Sequence, residues 1–204
     1  MKTALIAFLF SIALPILAGE VVVSVSPYPH HFEVVLTTDR DQPEYILDTV
    51  PDIVIRHRGS KFTLATLPYT SDVNSDKQTF RDHTTVNWGD NDVAITTDER
   101  YYSALSVFRF VGTYASPKRF DRVQFPNIVE IIKATIPKLK EFRSRWHEHF
   151  QGWPGDKLVM FSAGSSAITE PRADGDVAFP ARFSFTFDIS DPAAPVLRRM
   201  EAIE

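Results

Sequence analysis

Apolar positions recur most regularly between Asn127 and Phe150. Ile128, Ile131, Ile132, Ile136, Leu139, Phe142, Trp146 and Phe150 follow one another at spacings of mostly three and four. At 3.6 residues per turn that pattern makes one apolar stripe, and it predicts an amphipathic helix over 127–150. Asn127 is placed to cap the first turn, with Glu130 three residues on as in a capping box. Gly152 and Pro154 read as a stop signal. Pro137 falls on the side away from the stripe, so it predicts a kink, the alternative being two short helices that meet there.

Elsewhere the period is two. Phe183, Phe185, Phe187 and Ile189 alternate with Ser184, Thr186 and Asp188, which predicts a strand buried on one face. Glu20–Ser26 and Phe32–Thr38 read as strands across a Pro- and His-containing turn, giving a first hairpin. Asp52–His57 and Lys61–Leu67 flank Arg58-Gly59-Ser60 and give a second. Further strands are expected at Val93–Thr97, Leu105–Tyr114, Lys157–Ser162 and Val196–Ile203. Strands before and after one helix predict an α+β fold: a curved antiparallel sheet with one long kinked amphipathic helix packed on one face.

The N-terminus changes the picture of where this fold resides. Lys2 precedes an eleven-residue run, Ala4 to Leu14, in which only Ser11 is polar; Pro15 and the small pair Ala18-Gly19 follow. The run is too short to span a bilayer and has the layout of a secretory signal peptide, residues 1–19. Export to a periplasmic or extracellular space is the expectation. Removing 19 of the 204 residues leaves 185, a single α+β domain over 20–204. The net charge of −4 becomes −5 because Lys2 leaves with the peptide. A mildly acidic chain argues for a protein partner rather than nucleic acid. No later segment is apolar enough for a transmembrane helix. There is no cysteine, which removes thiol nucleophiles, disulfides and thiolate metal sites.

Motifs of chemistry fail in particular ways. Gly164-Ser165-Ser166-Ala167-Ile168 lacks the last glycine of a nucleophile elbow. His147-Glu148-His149-Phe150-Gln151 puts Gln151 where a zincin helix needs its second histidine. His147 and His149 stand about 200° apart on a helix. Asp72-Val73-Asn74-Ser75-Asp76 starts like a calcium loop, but Lys77 and His83 occupy the glycine and glutamate positions. No catalytic residue, metal or cofactor is expected. What stands out is Asn87-Trp88-Gly89-Asp90-Asn91-Asp92, a tryptophan on an apparent loop among hydrogen-bonding residues. Trp88, Asp90 and Asp92 are the candidate binding residues: a large ring with two carboxylates for a basic partner. The functional expectation is an exported non-enzymatic binding protein, such as an inhibitor or an immunity protein against a toxin or envelope enzyme. The alternatives are a carrier of a small apolar ligand between helix and sheet, and a carboxylate-based envelope hydrolase.

Overall fold

A computed structural model describes residues 20–37, 52–67, 83–98, 102–112, 118–136, 141–170, 173–175 and 177–203. The expected signal segment, Pro137 and the calcium-like run from Asp72 lie outside the described residues. Twelve strands and one helix are described: β1 (Glu20–Val25), β2 (Phe32–Thr37), β3 (Asp52–His57), β4 (Thr63–Leu67), β5 (Thr84–Trp88), β6 (Asp92–Asp98), β7 (Ser103–Val111), β8 (Arg119–Arg122), α1 (Ile128–Thr135), β9 (Glu141–Gly155), β10 (Leu158–Glu170), β11 (Val177–Asp188) and β12 (Val196–Ile203).

The long kinked helix on a sheet does not form, and the chain is mostly β. The capping reading holds: the Asn127 side chain accepts a hydrogen bond from the Glu130 N–H at 3.3 Å. The helix then runs only to Thr135. Ile136 adopts φ −118° and ψ 83°, outside the helical region, as expected for a residue before proline. Pro137 thus coincides with a stop, not a kink. Beyond it, Phe142, Trp146 and Phe150 are spaced by four, a multiple of two as well as near a helical turn. Along a strand Trp146 and Phe150 therefore share one face, and both pack against the core from β9. Gly152 and Pro154 lie within β9 rather than at a helix end. Pro154, which cannot donate to a ladder, coincides with a register shift opposite Leu158 and Met160.

β1 to β4 form a four-stranded antiparallel meander containing both expected hairpins. The second sheet runs in the order β12-β11-β10-β9-β7-β6-β5, with β8 also paired to β7. β8 occupies one end of the free edge of β7, from Phe108 to Val111. β9 meets the other end in parallel through one pair, Ser103 and His147.

Two cores result. In one, Val34, Leu36, Ile53 and Ile55 of the meander meet Val93, Ile95 and Phe108. In the other, Ala94 and Val107 meet Phe161 of β10, Phe183, Phe185 and Phe187 of β11, and Ile128 and Ile132 of α1. The predicted alternation of β11 is observed: Phe183, Phe185, Phe187 and Ile189 are buried. Burial of each such ring contributes roughly 1.5–3 kcal/mol. β6 and β7 serve both cores, because successive side chains alternate faces.

Candidate functional site

Three turns, from both sheets, meet around a cleft of about 440 Å³. The first connects β1 and β2. Ser26 closes it: its N–H donates to the Phe32 carbonyl at 3.0 Å and its Oγ accepts from the Phe32 N–H at 2.9 Å. A turn between Pro27 and His30 leaves Tyr28 at the tip, 90% exposed. The second is the β5–β6 turn, closed by the Gly89 N–H on the Asp92 carbonyl at 2.8 Å. The third joins β9 to β10 through Asp156 and Lys157, the latter at φ +66°.

The turns fit because Gly89 has no side chain. A Cβ there would stand 3.2 Å from Cε2 of Trp153, so the β5–β6 turn lies flat against that indole. The Trp153 Nε1 is buried with no hydrogen-bond partner among the described residues. An unpaired buried N–H of this kind costs about 1–3 kcal/mol.

The three residues singled out from sequence all line this cleft. Trp88 is not on a loop. It is the last residue of β5, half-buried, and donates its Nε1–H to Ser24 Oγ at 3.0 Å. Its ring stacks on Phe32 at 6.5 Å, which itself stacks with His30. Asp92 opens β6, buried, and accepts from Arg109 Nη1 through both carboxylate oxygens at 3.1 and 3.2 Å. Asp90 is exposed between them. Burial pushes the Asp92 carboxyl up from 3.8 to about 6; the charges of Asp156 and Asp90 push the same way, and Arg109 opposes them. Burial thus outweighs the ion pair with Arg109 in setting the Asp92 carboxyl.

Trp153 and Asp156 complete the cleft and are not among the residues singled out from sequence. With 141–155 recognised as a strand, Gly155-Asp156-Lys157-Leu158 becomes a hairpin turn, and that was the available signal.

A second cavity of about 370 Å³ opens between the start of α1 and β7 and β9. Phe125, Ile128, Trp146 and Phe161 line it, together with Arg122 and Glu148. Glu148 accepts from the Leu105 N–H and from the Trp146 Nε1–H, both at 3.1 Å. Two charged groups in the wall fit an apolar ligand poorly.

The histidine reading also changes. In a strand, residues two apart share a face, so His147 and His149 stack with ring centroids 6.0 Å apart. Both approach Ser103 Oγ, His147 through Nδ1 at 3.1 Å and His149 through Nε2 at 3.3 Å. His149 Nδ1 lies 3.8 Å from Asp98 Oδ1. The order hydroxyl, imidazole, carboxylate is that of a nucleophilic relay. Ser103 is only 1% exposed, however, and 3.8 Å is longer than a hydrogen bond. The cluster ties β7 to β9 where the two strands meet.

Among the described residues no helix is long and apolar enough to cross a membrane. In comparisons with known proteins, no family model, curated protein or solved structure matches the chain.

Proposed function

We propose that this is an exported binding protein without catalytic function, and that it engages a protein partner through the three-turn end of the molecule. The observation that carries this reading is the convergence of turns from both sheets on one cleft that combines aromatic rings with carboxylates. Tyr28 stands beside it almost fully exposed, and Phe62 is 64% exposed. The Arg58 N–H bonded to the His31 carbonyl at 2.7 Å brings the β3–β4 connection, which carries Phe62, to the β1–β2 turn. Exposed aromatic side chains at a polar rim are the usual anchors of protein interfaces. The mildly acidic composition favours encounter with a basic partner, as an inhibitor or immunity protein would meet. Export rests on the signal-like residues 1–19. A hydrolytic role for the cleft has less support, because Asp92 is already held by Arg109.

The test is capture of a partner from the compartment to which the protein is exported, repeated with surface variants. Tyr28→Ala with Asp90→Lys should abolish capture, and Glu201→Lys on β12 should leave it intact. Equal capture by all of these proteins refutes the assignment of the interface.

A further inference from the structure

Resting on that reading, we infer that the cleft receives the guanidinium group of an arginine presented by the partner, seated against its indoles and neutralised by Asp90 and Asp156. The argument starts from the charges. Asp90, Asp92 and Asp156 all line the cleft. Arg109 is committed to Asp92 through both carboxylate oxygens, and among the residues lining the cleft Lys157 is the one permanent cation. That leaves negative charge in excess. The charges of Asp156 and Asp90 both reach the Asp92 carboxyl, whose rise is due first to burial.

The distribution of charge selects the kind of cation. Among the described residues, no three carboxylates or imidazoles stand close enough to hold one metal ion. The carboxylates instead line the same cleft as Trp88, Trp153, Tyr28 and His30. A planar, delocalised, weakly hydrated cation suits such a space: guanidinium stacks on aromatic faces and directs N–H donors outward to separated acceptors. The compact ammonium of lysine keeps its water more strongly and gains less. The fold already places one guanidinium on an aspartate of this cleft, that of Arg109.

The experiment uses the whole exported chain and two small probes, N-acetyl-arginine methylamide and its citrulline counterpart, which has nearly the same shape and no charge. Tryptophan fluorescence and indole N–H chemical shifts report binding. The arginine probe should saturate in the millimolar range, with the citrulline probe weaker by roughly tenfold or more. Asp156→Asn and Asp90→Asn should each weaken the arginine probe about threefold or more, with the melting temperature unchanged. Binding should weaken from pH 7.5 to pH 5, as Asp92 takes up its proton; Asp90, Asp156, His30, Lys157 and Arg109 are the other titratable and charged groups around it. Equal binding of the two probes overturns the inference. So does failure of the arginine probe to bind at about 50 mM, a weak-fragment limit, or indifference to both aspartate variants. If the probes fail while Tyr28→Ala with Asp90→Lys still abolishes partner capture, the interface stands and its arginine is wrong. If capture survives those variants, the interface itself is wrong, whatever the probes do.

Discussion

Along one face of β6 and β7 four cross-strand pairs stand in a row: Asp92 with Arg109, Ala94 with Val107, Thr96 with Leu105, and Asp98 with Ser103. The middle of the row faces the phenylalanine-rich core, and a polar pair closes each end. The two ends use similar chemistry to different effect. At the Asp92 end the turns stop short of one another and leave a cleft, so charge is exposed to whatever enters. At the Asp98 end β9 reaches Ser103, and two imidazoles cover its hydroxyl. The difference teaches that residue type does not make a site. Carboxylates and rings at the first end line an open cleft, whereas a hydroxyl, two imidazoles and a carboxylate at the second are spent on joining strands.

Removing the cation at the open end should have the largest effect. Arg109→Met leaves Asp92 buried without its partner and should cost about 3 kcal/mol at pH 8. Denaturant titration at pH 5 should show a smaller loss, because Asp92 is then protonated. If the loss is independent of pH, Asp92 is not the group left stranded.

The next effect concerns Asp92 itself. Its carboxyl is raised from 3.8 to about 6 on folding. The folded protein thus holds a proton that the unfolded chain has released between those values. The stability linked to this proton is fully present below about pH 4 and is lost as pH rises through about 6. Wild type should lose on the order of 2 kcal/mol more than Asp92→Asn between pH 4 and pH 7. Parallel pH profiles for the two proteins would contradict the burial argument.

At the closed end, Ser103→Ala removes the hydroxyl that both imidazoles address. A loss of about 1–2 kcal/mol is expected, measured by urea unfolding. A neutral result would mean that the β7–β9 junction is held by its backbone alone, and the two ends would then differ less than their side chains suggest. The smallest change in stability belongs to Asp90→Asn on the open rim, below about 0.5 kcal/mol by thermal melting. A larger loss would move Asp90 from the ligand's side of the comparison to the fold's.

Most strands and both early hairpins were legible because their alternation and turns are local: Phe183, Phe185 and Phe187 have no other reading. The region 141–155 was not legible, because a spacing of four satisfies a strand and approximates a helix. Only the pre-proline geometry of Ile136, together with the β-forming character of Phe142, Trp146 and Phe150, separates the two. Read as a helix, that segment gives no sign of the side of the cleft formed by Trp153, Gly155, Asp156 and Lys157. Trp88, Asp90 and Asp92 stand within five residues of one another, across the β5–β6 turn, and could be named together, whereas Trp153 and Asp156 reach them only through the path of β9. The same misreading separated His147 from His149, which share a face only in a strand.

β6 and β7 have a bearing on how the molecule comes apart. Val93, Ile95 and Phe108 are buried toward one core, and Ala94, Leu105 and Val107 toward the other. Neither core can lose this hairpin and survive, so loosening one exposes the back of the other. Calorimetry should then show a single transition, with no step in which one half melts first. The slowest amides in hydrogen exchange should be those of 93–96 and 105–108, opening only with the whole molecule. The hairpin is also local in sequence and can form early, before the distant strands that close over its two sides.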